Sequence, residues 1–200
     1  MSRSVASAVT PASPASPASP VAAAVAMPHV VGACPQFLAA AIRREVRARR
    51  SWQDTADAVA AVLRHHLPGP GLLTPGQLAG DPAGYQTHLI HAEPDGSFSV
   101  AVMVWLPGQR TPVHDHLTWC VTAVLQGAEY EEIFAVRDGY LEVVARNQNP
   151  VGAVSGFAPP GDIHQVRNSG PGIAVSMHVY GTDITRVGSS IRREYDLPVR

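Results

Sequence analysis

The residues of this chain best suited to metal chemistry are two histidines separated by one position, His114-Asp115-His116. In an extended strand, side chains at i and i+2 share a face and sit about 7 Å apart along the backbone, so both imidazoles aim at one point. A third histidine, His164, follows in Gly161-Asp162-Ile163-His164. Three neutral imidazoles suit a divalent iron, copper, nickel or zinc ion and leave positions open for substrates. A later run, Ser176-Met177-His178-Val179-Tyr180, uses the same alternation to put a hydroxyl, an imidazole and a phenol on one face. Ser176 can then orient His178, and His178 the Tyr180 hydroxyl. The plainer alternatives are a hydrogen-bonding pair for His-x-His and a polar stripe on an exposed strand for the later run.

Such a set needs strands to hold it, and the chain supplies them after Gly84. Phe98, Val100, Val102 and Val104 alternate with Ser99, Ala101 and Met103, a period of two whose smaller face can line a cavity or pack under a helix. Further β-rich runs cover Trp119–Leu125 and Ile173–Tyr180. Asp95-Gly96 and Asp138-Gly139 are hairpin signals, the second joining Glu132–Val136 to Tyr140–Ala145. Many short strands punctuated by glycine and proline point to a sandwich or small barrel.

The part before Gly84 reads differently. Pro35 to Arg50 has Leu38, Ile42 and Val46 at helical spacing opposite Arg43, Arg44 and Arg47, and proline suits a first helical turn. Ser51 with Asp54 resembles a capping box that opens a second helix with Val59, Val62 and Leu63 as its apolar stripe. His65 and His66 fall in its last turn, where they suit the helix dipole and its free carbonyls rather than a metal. Thr74-Pro75 can start one more short turn of helix. Residues 1–31 are rich in Ala, Ser and Pro, with Ala-Ser-Pro repeated, and cannot bury enough apolar surface to offset ordering. A disordered tail is expected there, a helical cover over 32–82 and a barrel over 83–200. Met27 stands where the bias ends and is an alternative start of translation.

Two hundred residues suffice for one core without disulfides. A net charge of −1, with no basic block, gives no electrostatic footprint for nucleic acid, and no apolar run is long enough to span a bilayer. Cys34 and Cys120 form no framework, which fits a reducing cytoplasm better than secretion. A monomer is the expected state. Cys34 and His29 receive no role.

The spacing around the histidines is more specific than the histidines themselves. Gly108, five residues, His114-x-His116, three residues, Cys120, six residues and Gly127 are followed by Pro159-x-Gly161, two residues, His164, three residues and Asn168. This resembles both signature motifs of the cupin family, with two departures. Cys120 stands where the first motif normally has Glu, and Gly152 lies one residue farther from the proline than the second motif's opening glycine. A Cys in place of that Glu, together with Ser-x-His-x-Tyr on a late strand, resembles the cysteine dioxygenase family of thiol dioxygenases.

The resemblance implies a mainly β cupin double-stranded β-helix, a small jelly-roll barrel. It implies an Fe(II) enzyme that adds both atoms of O2 to the sulfur of a small thiol to give a sulfinate. His114, His116 and His164 would hold the iron, Ser176, His178 and Tyr180 would form the catalytic hydrogen-bonding set, and Tyr180 would donate to the reactants. In some members the cysteine at the Cys120 position is joined to the tyrosine by a thioether, while many bacterial relatives have glycine there. Cys120 is thus either a crosslink partner or a small buried hydrophobe.

The substrate is less determined. Animal-type members bind the substrate carboxylate with an arginine on the strand before the metal motif, and counting back from His114 without gaps places His88 there, beside Gln86 and Thr87. Relatives acting on 3-mercaptopropionate also lack that arginine and recruit one nearer the C-terminus, where this chain offers Arg186. His88 and Arg186 are therefore the candidate substrate-binding residues, with cysteine or a close thiol acid as substrate. Two readings from other classes stand beside this one. A non-catalytic or regulatory metal-binding cupin has no need of Ser176, His178 and Tyr180, and an isomerase or germin-like oxidase normally keeps the Glu that Cys120 replaces.

Overall fold

A computed structural model describes residues 34–200. The expectations for residues 1–31, including the tail, Met27 and His29, lie outside them. Helix α1 (Gln36–Arg47) starts after Pro35 and buries Leu38, Ala39 and Ile42. It stops three residues short of Arg50, because the backbone turns left-handed at Arg49 (φ 51°). Helix α2 (Trp52–His65) is capped by the Ser51 hydroxyl, which accepts from the Asp54 amide, and buries Val59, Val62 and Leu63. At its other end His65 Nδ1 sits 2.8 Å from the Ala61 carbonyl, the carbonyl-partner role its position suggests. A single-turn helix α3 (Pro75–Leu78) carries a complete capping box between Thr74 and Gln77.

The rest is two antiparallel five-stranded sheets, the mainly β double-sheet architecture that the resemblance implies. One runs β1 (Gln86–Ala92), β2 (Ser99–Trp105), β9 (Ala174–Tyr180), β4 (Cys120–Gln126), β7 (Val154–Phe157) in spatial order. The other runs β10 (Ile191–Glu194), β3 (His114–His116), β8 (His164–Asn168), β5 (Ala128–Arg137), β6 (Tyr140–Pro150). A short helix α4 (Ile184–Val187) links β9 to β10. Asp138 and Gly139 both have positive φ, 50° and 80°, as the two-residue turn between β5 and β6 demands. Strand β5 begins at Ala128, earlier than the Glu132 expected from its apolar run, because its first inward side chains are acids.

The alternation in β2 divides two environments. Val100, Val102 and Val104 join Val175, Met177, Val179, Val121 and Ala123 under Leu38, Ile42, Val59 and Leu63 of α1 and α2, forming the main apolar core. Ala101 on the opposite face meets Leu89, Cys120, Tyr180 and Ile184 inside the barrel. The helices thus cover the outer face of one sheet and leave its inner face to the site. Among the described residues no helix is long and apolar enough to cross a membrane.

The closest fit of helix to sheet is at Gly156 in β7, where a Cβ would lie 2.9 Å from the Ala56 carbonyl oxygen of α2. Backbone on both sides leaves nothing flexible to yield. Gly156→Ala should therefore cost about 1–3 kcal/mol, the usual penalty for overpacking a tight core. The check is a lower urea midpoint with an unchanged slope; an unchanged midpoint would mean that α2 rides loosely on the sheet.

Candidate metal centre

Strand β3 is only three residues long, and its alternation decides where each side chain goes. His114 and His116 point into the barrel, while Asp115 between them is taken by Arg192 and by the Tyr195 hydroxyl at 2.9 Å. Burial alone would raise the Asp115 carboxyl, but these two partners outweigh it and hold it below the usual range. Pairing of β3 with β8 sets His164 directly opposite His114. The three rings offer ligand nitrogens within 4.8 Å of one another, and all three residues are buried.

In each ring one nitrogen is already engaged. His114 Nδ1 lies 3.0 Å from the Pro112 carbonyl, His116 Nδ1 3.0 Å from Asp162 Oδ2, and His164 Nδ1 2.7 Å from Glu131 Oε1. A ring that donates through Nδ1 presents the lone pair of Nε2, which is the tautomer a metal requires. Nε2 of His164 is buried with no partner among the described residues. A buried polar atom without a partner is costly, and a cation at the meeting point of the three rings would satisfy it. Burial, followed by the neighbouring imidazoles, pushes the His114 pKa well down; burial also lowers that of His116, so both are neutral ligands at pH 7. Desolvation would raise Glu131, but hydrogen bonds from His164, Asn147 and Asn149 keep it below its ordinary value and hence an acceptor. The residues therefore fit a divalent metal.

The wall facing this cluster is built from β4, β7 and β9. Cys120 is the register partner of both Tyr180 on β9 and Phe157 on β7. The Phe157 ring stands 5.1 Å from that of His116 and 5.0 Å from that of His164, an apolar surface beside the ligands. Cys120 is fully buried, and desolvation, with the Asp162 and Glu131 carboxylates, raises its pKa well above normal, so it is a thiol. Desolvation likewise raises Tyr180, which keeps its phenolic proton.

On β9, Ser176 Oγ and His178 Nε2 are 2.9 Å apart, the contact expected from their spacing. The second expected contact is not formed: the His178 and Tyr180 rings stack at 5.9 Å and 26°. Burial drives the His178 pKa down to about 3, leaving a neutral ring.

The two candidate substrate residues lie elsewhere. His88 pairs with Val102, whose side chain belongs to the helix-side core, and its Nδ1 is 3.4 Å from Gln77 of α3. It therefore faces away from the histidine cluster, and burial lowers its pKa, making it a poor cation. The gap-free count assigned it the wrong face by one residue: Leu89, not His88, is in the barrel cluster. Arg186 is on α4 at the rim, mostly exposed, its Nε 3.1 Å from Asp183 Oδ2. No arginine is buried among the described residues.

Sequence reasoning passed over Asp162, Glu131 and Phe157, which fix or flank the ligands, and over Glu129 beside them. Asp162 was visible two residues before His164. The signal for the glutamates was the i, i+2 pair Glu129-x-Glu131 on a strand whose other face carries Tyr130, which an apolar criterion for strands does not register.

The cysteine dioxygenase type I family model matches residues 78–189, more than half of the chain. Similar solved structures include an uncharacterized conserved protein with a double-stranded beta-helix domain from Klebsiella pneumoniae, at 18% identity, 52% of this chain, 81% of that one and TM-score 0.42. A Cupin 2 conserved barrel domain protein from Salinispora arenicola matches at 22% identity, over 50% of this chain and 78% of that one, with TM-score 0.38. An RmlC-like cupin protein from Desulfovibrio desulfuricans matches at 23% identity, over 50% and 86%, with TM-score 0.39.

Two outcomes follow from the geometry. His164→Ala should lose most bound divalent metal while keeping its β-rich circular dichroism, and Glu131→Gln should weaken metal affinity about 10–100-fold by releasing the ring of His164. Metal titration by calorimetry measures both, and full retention by His164→Ala would overturn the site. The facing of Cys120 and Tyr180 on paired strands makes a thioether between them feasible. It would remove two hydrogens from the chain, a loss read by peptide mass spectrometry after turnover; unmodified peptides from fully active protein would show that the crosslink is unnecessary.

Proposed function

The chain belongs to the cysteine dioxygenase type I family, thiol dioxygenases of cupin type, and on that premise we propose that it uses Fe(II) to add both atoms of O2 to the sulfur of cysteine or a closely related thiol acid, giving a sulfinate. The observation that carries this reading is the orphaned, buried Nε2 of His164 beside two further neutral imidazoles whose Nδ1 atoms are already engaged. Iron bound there supplies open positions for thiol and dioxygen and a positive charge that favours the thiolate. Both oxygen atoms enter the product, so no external reductant is needed.

The chain's own residues do the rest. Asp162 and Glu131 hold two of the ligand rings in the metal-binding tautomer. Phe157 and Leu89 keep that side of the cavity dry, which strengthens every electrostatic contact inside it. Tyr180, its proton retained, is a hydrogen-bond donor to the reactants. Cys120 stays a thiol and does not compete with the substrate sulfur.

Arg186 is the proposed partner of the substrate carboxylate. A thiol acid that places its carboxylate near the ligands needs a cation or several donors, since burying it unpaired costs several kcal/mol. Among the described residues no arginine is buried, and Arg186 extends from α4, whose Ile184 is already part of the cavity wall. To bind substrate it would exchange Asp183 for the incoming carboxylate. The alternative substrate in the same class is 3-mercaptopropionate.

Iron-loaded protein in an oxygen electrode, supplied in turn with cysteine, 3-mercaptopropionate and cysteamine, tests the reading. One O2 consumed per sulfinate formed is the expected result, whereas a non-catalytic metal-binding cupin would consume none with any thiol. Loss of one charge-assisted contact, about 1.5–3 kcal/mol, should raise KM for the thiol acid about 10–100-fold in Arg186→Ala and leave cysteamine oxidation nearly unchanged. Cysteamine as the best substrate, or unaltered constants in Arg186→Ala, would overturn the carboxylate assignment.

A further inference from the structure

Strand β3 carries two of the three ligands on three residues, and among the described residues its register pairing with β8 is His114 with His164 alone. Its other side is bonded by β10, with Ile191 opposite His116, Arg193 opposite Asp115 and Glu194 opposite His114. That ladder continues at both ends. The Leu117 amide donates to the Ser190 carbonyl and the Tyr195 amide to the Val113 carbonyl, each at 2.8 Å. The segment 190–200 thus gives β3 its longer ladder, and it lies past residues 78–189, where the family model matches.

The same segment takes hold of the side chain between the ligands. Asp115 is 1% exposed; Arg192 Nε donates to its Oδ1 at 3.3 Å, Arg192 Nη2 donates to Oδ2, and the Tyr195 hydroxyl donates to Oδ2 at 2.9 Å. A forked guanidinium on a carboxylate fixes orientation as well as charge. The far end of the segment is tied to the opposite edge of the sheet. There the Leu141 amide of β6 donates to the Pro198 carbonyl and the Arg200 amide to the Leu141 carbonyl, both at 2.9 Å, and Arg200 lies 3.5 Å over the Tyr140 ring. Between the two ends, Tyr195 and Leu197 line a cleft with Val136 and Ile163, the residue before His164.

What this clamp decides is a face. Strand β3 presents His114 and His116 to one side and Asp115 to the other, and imidazole and carboxylate are both metal ligands. A strand this short, with one pair on β8, is weakly specified by its own ladder, and a slip of one residue exchanges its faces. Charge settles the choice. A buried carboxylate without a partner is costly, so Asp115 stays outside as long as Arg192 and Tyr195 meet it there. Without them, a metal ion in the barrel would be a competing partner for the carboxylate.

We propose that Arg192 and Tyr195 are positioning residues of the metal centre: by holding Asp115 outside the barrel they keep His114 and His116 turned inward. Both act on the ligands only through Asp115 and the ladder between β10 and β3. The inference rests on the three-histidine metal site of the thiol dioxygenase reading and on no particular substrate. It makes the C-terminal segment a working part of the centre, joined to it from the outer side of the sheet.

The test titrates the full chain, freed of metal, with cobalt(II), followed by calorimetry and by the visible absorption of the bound ion, which reports its ligand geometry. Arg192→Gln should weaken cobalt affinity about 10-fold, the low end of the loss usual for outer partners of metal ligands, and shift the visible bands. Arg192→Lys, which keeps the charge without the fork, should recover part of that loss. In an Asp115→Asn background there is no carboxylate to hold, so Arg192→Gln should change affinity less than about twofold. Equal weakening in both backgrounds, or unchanged affinity and bands in Arg192→Gln, would overturn the clamp. Should Arg192→Gln lose its β-rich circular dichroism, Tyr195→Phe replaces it in the same two backgrounds, with a smaller loss expected and equal losses overturning the clamp. Wild-type protein that binds no cobalt would overturn the metal site and the clamp together, whereas binding that ignores every variant overturns the clamp alone.

Discussion

Everything in the barrel depends on how the three histidines satisfy their outer nitrogens. An imidazole buried in a protein must place both ring nitrogens, and in each of these rings Nδ1 has an internal acceptor: a carbonyl for His114, Asp162 for His116, Glu131 for His164. That choice leaves the Nε2 atoms to converge. It also explains two buried carboxylates that would otherwise be a liability, since each is stabilised by the donors it collects. Asp162 accepts from both the backbone and the ring of His116, tying the β8 approach to β3.

The two sheets divide the remaining labour. The outer face of the β1-β2-β9-β4-β7 sheet is apolar and lies under α1 and α2, so the burial that stabilises the domain is spent away from the site. Its inner face is free to carry Cys120, Ser176, His178 and Tyr180. The other sheet gives its inner face to the ligands and their carboxylates. A polar barrel interior is thus sustained by an apolar core outside it, and α1 and α2 are structural partners of the site although their buried residues belong to that outer core.

The chain has no lysine, and among the described residues no arginine is buried. Arg43 pairs with Glu93, Arg192 with Asp115, Arg167 lies over Tyr130 and Arg200 over Tyr140. Inside, acids outnumber fixed cations, so a bound metal ion is the main positive charge available to a substrate. Desolvation, with the neighbouring carboxylates adding to it, raises Glu129 and Cys120 alike.

The sequence alone determined the features that rest on local periodicity and spacing. His114-x-His116 and Ser176-x-His178-x-Tyr180 each share a face because a strand alternates, whatever surrounds it. The capped helices, the Asp138-Gly139 turn and the small inner face of β2 were legible for the same reason, and the spacing from Gly108 to Asn168 pointed to the family. Tertiary structure decided what depends on register between distant strands. A bulge in β1 between Leu89 and His91, invisible in the residue pattern, accompanies the placement of Leu89 inside and His88 outside. Pairing of β5 with β8 brought Glu131 to His164 across 33 positions. Such contacts are fixed by hydrogen-bond ladders between segments far apart in the chain, and a shift of one residue in any ladder reverses which side chains reach the cavity.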